Sequence, residues 1–350
     1  MGHSNKKFYR ILLDSLYRSG IYNAAAPFTR GEGAIFTLHQ VCPKAVPAFS
    51  PNSILKVTPD FLEETIITVL QQGYDVITLD EMTERLKTGQ QGKPYVVFTF
   101  DDGYRDNKTH AVPLFEKYKI PMTIYIVSDY SSHKGELWWL ALEEIIASHS
   151  SIMDPLNEGA KLASATAAEK YAAFETIYWR IRHGDQQEQR RIIRRMATEH
   201  DYDIDELTRR EIMNWEELRE LSKNEYVNFA AHTKSHYAMA HLTEEEARAE
   251  VMAGIEVMQK ELGTAPAHFS YPYGDCQSAG RRDFQLMKEL GLKTAVTTRK
   301  GVLHSAHKDH MMALPRISLN GEYQENRYIK LFLSGLPFLL RNGGRTLNVN

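Results

Sequence analysis

Two cysteines, Cys42 and Cys276, are too few for a disulfide framework and read as free thiols. Charge of neither sign dominates: 42 Lys and Arg face 45 Asp and Glu, a formal net charge of −3, which argues against a general nucleic-acid binder. No stretch reaches the ~18 uninterrupted apolar residues of a spanning helix, and Asp14 interrupts the short apolar run "ILLDSLY" where a signal-peptide core would have to be. Internal repeats and long low-complexity linkers are missing too. These absences predict a soluble, cytoplasmic chain with no nucleic-acid partner and no transmembrane segment, and they leave the oligomeric state open. At 350 residues, 43% hydrophobic and 25% charged, it is long enough for one large α/β domain or two smaller ones.

What is present is alternation. Strand-like runs ("AIFTLHQV", "DVITL", "YVVFTF", "MTIYIV", "VNFAAHT", "HFSYPYG", "KTAVTT", "ALPRISL") are separated by helical patterns such as "PDFLEETIITVLQQGY" and "TEEEARAEVMAGIEVMQKELG". That order predicts a parallel sheet, and this many units favours closure into an irregular (β/α) barrel over residues 34–320. The alternation stops between 130 and 224, where "TAAEKYAAFETIYWRIRHG" and "DQQEQRRIIRRMATEH" read as helices and Thr166 with Glu169 matches a capping box. This segment is expected to be a helical insertion. Residues 1–33 read as a helical extension and 321–350 as a packed C-terminal helix with a tail.

Chemistry concentrates in three places. "VVFTFDDGYRDN" drives an apolar strand into Asp101 and Asp102, and two adjacent buried carboxylates make sense mainly beside a cation, a metal ion or an arginine; a polar turn over Asp101, Asp102 and Gly103 is the other reading. In "NFAAHTKSHYAMAHL", His232 and His236 lie four apart, a spacing that on a helical turn puts both imidazoles on one face within reach of one ion. Two neutral nitrogens and one carboxylate suit a borderline divalent metal such as zinc. The third place, "HFSYPYGDC", closes a strand in a Pro-Tyr-Gly turn whose backbone N–H groups could point into the barrel mouth.

"TFDDG", "HTKSH" and "YPYG", in that order at strand ends, resemble the first three motifs of the NodB-homology polysaccharide deacetylases, metal-dependent carbohydrate esterases on an irregular (β/α) barrel. "FTLHQV" is similar to the strand that opens several longer members. The resemblance implies Asp101 as general base, Asp102, His232 and His236 as ligands of a divalent metal, zinc first, and the Tyr273 N–H as part of an oxyanion hole. The implied substrate is an N-acetylated oligo- or polysaccharide. Acetyl-ester or non-sugar amide hydrolysis on the same site, and a non-catalytic carbohydrate-binding role, are the alternatives. Tyr271, Pro272 and Trp139 are candidate substrate contacts, with Trp138 and Trp139 also able to pack the insertion onto the barrel.

The chain departs from the family pattern as well. The arginine usual just before the third motif's proline pair is replaced by Ser270 and Tyr271, and the late segment that supplies a general acid is not recognisable, which leaves His241, His304, His307 and His310 as candidates. The pattern is closer to a "YPYG" and "LPRI" branch seen among exopolysaccharide deacetylases. Since a closed barrel brings its last strands back beside its first, Arg316 of "ALPRISL" is predicted to orient Asp101, with Arg282 as the second choice. Replacing Arg316 is expected to lower turnover and leave the melting temperature nearly unchanged.

Overall fold

The computed structural model describes residues 3–43, 46–89, 92–157 and 159–349. Seven parallel strands close a barrel: Gly33–Leu38, Tyr95–Phe100, Met122–Ile126, Val227–Ala231, His268–Ser270, Thr294–Lys300 and Leu314–Ser318. Closure runs through the first strand, which takes the last one on one side (Phe36 opposite Ile317) and Tyr95–Phe100 on the other, in register from Gly33–Tyr95 to Leu38–Phe100. Every residue of these two neighbours is buried. Strands covered on both faces read as continuous apolar runs, which is how "AIFTL" and "YVVFTF" look.

The strand expected at "DVITL" shrinks to Asp75–Val76, beside the start of Tyr95–Phe100. Thr78 is the reason: its hydroxyl accepts from the Glu81 N–H and starts the helix Leu79–Thr88, which ends the extended segment early. Two of the barrel helices begin at capping threonines. Thr58 caps Pro59–Gln71, with the proline at the first helical position, and Thr243 with Glu246 forms a capping box for Glu244–Leu262.

The insertion between Met122–Ile126 and Val227–Ala231 carries a second apolar core. Leu140, Ile145 and Ile146 of helix Trp138–Ser148 pack with Phe174 and Ile177 of Ala167–Arg182 and Ile193 and Met196 of Gln186–Glu199. The expected Thr166–Glu169 capping box is present. An all-helical insertion is not: Ser151–Met153 and Lys161–Ala163 pair as an antiparallel hairpin, with strands too short to show an alternating pattern in sequence. Helix Trp215–Leu221 places Leu218 and Leu221 in the main core and so leads back to the barrel.

The C-terminal segment forms two helices, Asn326–Leu333 and Leu336–Arg341, where one was expected. Gly335 breaks them in a left-handed conformation (φ 74°), and a Cβ at this position would lie 1.8 Å from the Thr29 carbonyl oxygen. The pair packs against Pro59–Gln71 and the N-terminal helices His3–Ser19 and Ile21–Thr29. No helix among the described residues is long and apolar enough to cross a membrane.

Candidate metal centre and active site

Because the strands are parallel, their C-terminal ends open on one face, and the singled-out residues follow them: Asp101 and Asp102 after Phe100, His232 after Ala231, Tyr273 shortly after Ser270. The two histidines converge, though not on a helical turn. Residues 232–238 form a loop in which Thr233 and His236 both have φ 62°, and the Thr233 hydroxyl accepts from the His236 N–H at 2.9 Å. A β-branched residue at positive φ is strained and persists only where its surroundings hold it. Glu250 supplies part of that hold, its carboxylate accepting from the Ser235 N–H at 2.8 Å. Gly254 lets the same helix press on the loop, since a Cβ there would stand 2.9 Å from the Thr233 carbonyl carbon. From the insertion, Gln186 donates to the Ala238 carbonyl and accepts from its N–H (3.2 and 2.6 Å).

Asp102 Oδ1 lies 3.5 Å from His232 Nε2 and 3.4 Å from His236 Nε2, all three residues buried. The His232 Nδ1 meets the Ser270 carbonyl oxygen at 2.7 Å, which fixes the tautomer and leaves the Nε2 lone pair facing Asp102. Burial is the main cause lowering the proton affinity of both imidazoles, so they are neutral donors. Burial, then Asp101, pushes the Asp102 carboxyl well above its usual range, and Asp102 Oδ1 has no hydrogen-bond partner among the described residues. A cation removes both penalties. Four-coordinate metal sites with bonds of about 2.0–2.2 Å have ligand–ligand edges of about 3.3–3.6 Å, so the two Asp102–histidine spacings fit such an ion.

Asp101 is held differently. Arg316, fully buried, donates to both its oxygens, at 2.8 Å from Nη1 and 2.7 Å from Nη2. Further bonds to Thr99 Oγ1, Ser270 Oγ and the Thr297 carbonyl oxygen fix the guanidinium. Burial is the largest single influence on the Asp101 carboxyl and would raise it, but the Arg316 charge and hydrogen bonds, with His232 and His39, outweigh burial and hold it well below the carboxylate range. Asp101 is therefore ionised and fixed in one orientation. Arg282, the second choice, serves elsewhere: it bonds Asp283 and the Met239 and Leu242 carbonyls.

Tyr273 also sits at φ 62°, and its N–H has no protein acceptor among the described residues. With Asp102 (φ 75°), Thr233 and His236, it makes four of the seven non-glycine residues of positive φ among the described residues fall in this site. Trp139 forms a wall against His236, ring centroids 5.4 Å apart. Tyr271 is a correction as a substrate contact: it is buried and packs among Phe269 and Phe284 with its hydroxyl donating to the Met312 carbonyl, because strand alternation turns Ser270 into the barrel and its neighbours out. Pro272, also buried, leads into the Tyr273 turn.

Three of the four candidate acid histidines lie away from the site. His304 and His307 flank the start of the first strand, where Leu303 bridges Gly33, and His310 precedes the last strand; all three lie at the strands' N-terminal ends. His241 is exposed on a groove beside His183 and Tyr237. None of the four is among the charged neighbours of Asp101, whereas His39 is. His39 follows the first strand, just as Asp101 follows Tyr95–Phe100, and that shared position in "FTLHQV" is the signal that could have singled it out. A larger groove of about 810 Å³, with Lys87, Phe284 and Lys288 in its wall, takes in His310 but none of the residues gathered around Asp101 and Asp102.

A family profile, polysaccharide deacetylase, matches residues 88–295, more than half of the chain and all three motifs. This chain belongs to the polysaccharide deacetylase family. A protein of Bacillus subtilis (strain 168), YxkH, which carries the family's name, is 32% identical over 93 residues, 26% of this chain. The aligned stretch spans about a third of that relative's length (33%). Among solved structures, the Streptococcus pyogenes deacetylase PplD in complex with acetate superposes with a TM-score of 0.56 at 17% identity, covering 85% of this chain and 97% of its own. The de-N-acetylase from Aggregatibacter actinomycetemcomitans gives 0.54 at 13% identity, over 85% of this chain and 99% of that one. IcaB from Ammonifex degensii gives 0.53 at 14%, over 87% and 97%. At these identities the likeness concerns the barrel fold, and the family assignment rests on the sequence profile.

Proposed function

We propose that this family member hydrolyses acetyl groups from the amino nitrogen of N-acetylated sugars in an oligo- or polysaccharide. The observation that carries the reading is the division of labour between adjacent carboxylates: Asp102 turned to two neutral imidazoles, Asp101 clamped by Arg316. A carbohydrate-binding module has no need for the second. Asp102, His232 and His236 would hold a divalent ion, zinc by donor set, which when bound polarises the amide carbonyl and the attacking water. Asp101 takes the proton of that water, its carboxylate aimed by the guanidinium. The Tyr273 N–H donates to the oxygen as it gains charge. His39, at the same barrel mouth, delivers a proton to the departing amine, giving acetate and a free amino sugar. Burial lowers the His39 imidazole to about 4, so it must gain its proton during turnover, from Asp101 or solvent. A cytoplasmic location is consistent with two unpaired thiols, of which Cys276 is exposed.

Acetate release from an acetylated chitooligosaccharide panel, with O-acetyl esters alongside and the protein preloaded with zinc, tests the reading. Release from the amides supports it. Release from esters alone moves the activity to O-deacetylation, and release from neither refutes it.

A further inference from the structure

Tyr273 is not held in its left-handed conformation by its own loop alone. Its phenol oxygen accepts from the Trp138 indole N–H at 3.0 Å, and the Arg182 guanidinium carbon lies 3.6 Å above its ring centroid. Trp138 and Arg182 both belong to the insertion, one at the start of helix Trp138–Ser148, the other at the end of Ala167–Arg182. Four residues before Arg182, on the same helix face, Tyr178 stacks on Trp138 with ring centroids 5.0 Å apart. Arg182 is buried and reaches past the ring to donate to Ser278 Oγ at 2.6 Å, with Asp275 at 3.6 Å. It therefore touches the Pro-Tyr-Gly turn and the loop that follows it. On the barrel side, Thr298 Oγ1 donates to the Tyr273 carbonyl at 2.6 Å.

A tyrosine at φ 62° costs backbone energy that its surroundings must repay. Without the ring clamp, the side chain would be free to swing and the backbone to relax, turning the Tyr273 N–H away from the barrel mouth. We propose that Arg182 is a positioning residue: through the Tyr273 ring it fixes where the backbone N–H at 273 points, which makes the inserted helices a working part of the site. The inference rests on the deacetylase reading only for the use of that N–H; the conformational part stands without it.

The test compares Arg182→Met with Arg180→Met. Arg180 lies on the same helix and bonds Asp154 and the Leu156 carbonyl, far from the Tyr273 turn in sequence and in contacts, so its variant reports general loosening of the insertion. Arg182→Met is expected to retain the metal and KM but lose about tenfold to a hundredfold in kcat, up to the ~10²-fold lower bound for deleting an oxyanion donor outright. Its crystal structure is expected to show Tyr273 out of the left-handed region, with Arg180→Met unchanged in both respects. Tyr273 staying in place in Arg182→Met, kcat unaffected despite a moved Tyr273, or an equal kcat loss in Arg180→Met would each overturn the proposal. If the wild-type protein releases acetate from no substrate, the deacetylase reading fails, and the clamp stands or falls on the two crystal structures.

Discussion

Replacing Arg316 by methionine removes the charge and keeps most of the length. The guanidinium makes five hydrogen bonds, two of them to Asp101, and is fully buried. Removing one partner of such a pair leaves a buried carboxylate uncompensated and costs ~3–5 kcal/mol, so Tm should drop by of order 10 °C. That reverses the expectation, formed from sequence, that melting would hardly change: burial of both partners makes the pair structural whatever its part in turnover. The pH dependence separates this from loss of packing. In the wild type the folded Asp101 carboxyl lies below its unfolded value, so its stabilisation is complete above the unfolded carboxylate range and is lost only as pH falls through the folded value. In the variant, burial acts unopposed by Arg316 and raises the carboxyl. Its penalty then grows as pH rises above about 4, the unfolded value. Thermal melts of both proteins, stripped of metal with a chelator, should therefore differ most near pH 7.5, and the gap should narrow toward pH 4 without closing, because the wild type keeps most of its Asp101 stabilisation there. Turnover should fall at least about tenfold, the worth of one charge-assisted hydrogen bond. A Tm gap independent of pH, with turnover intact, would refute the assignment.

Asp101→Asn should keep the bound metal, since Asp102 is untouched, while kcat falls ~10²–10⁴-fold, measured by acetate release beside elemental analysis. His232→Ala or His236→Ala should lose most of the ion on dialysis, because three ligands leave no redundancy; full occupancy in both variants contradicts the site. His39→Gln should retain metal and lower kcat by about tenfold to a hundredfold on amides, with a smaller effect on activated esters whose leaving group needs no proton. Equal losses on both substrates would remove His39 from the acid role.

The Asp101–Arg316 contact spans 215 positions and was still legible, because barrel closure is a topological consequence of strand count and the last strand carries few charges. Asp102, His232 and His236 were legible by residue type, but the turn joining the two histidines was not. Nothing in "HTKSH" marks Thr233 and His236 as left-handed, since neither is glycine and the conformation is imposed by Glu250, Gly254 and the insertion. Tyr271 was misread against a signal that was present: it shares the alternating face of Phe269, while Ser270 faces Arg316. The late histidines misled because a segment after Thr294–Lys300 must travel back down the barrel before the next parallel strand can begin.

Closure through the first and last strands also sets an order in time. As the chain leaves the ribosome, the Gly33–Leu38 and Tyr95–Phe100 strands can pair early, but the open edge of Gly33–Leu38 waits for Leu314–Ser318, more than 200 residues later. Until that strand emerges, Asp101 has no arginine and its carboxylate must remain hydrated, keeping water in the upper barrel. The drying of the site thus waits for Leu314–Ser318, and a nascent chain stalled before residue 316 should keep Asp101 hydrated.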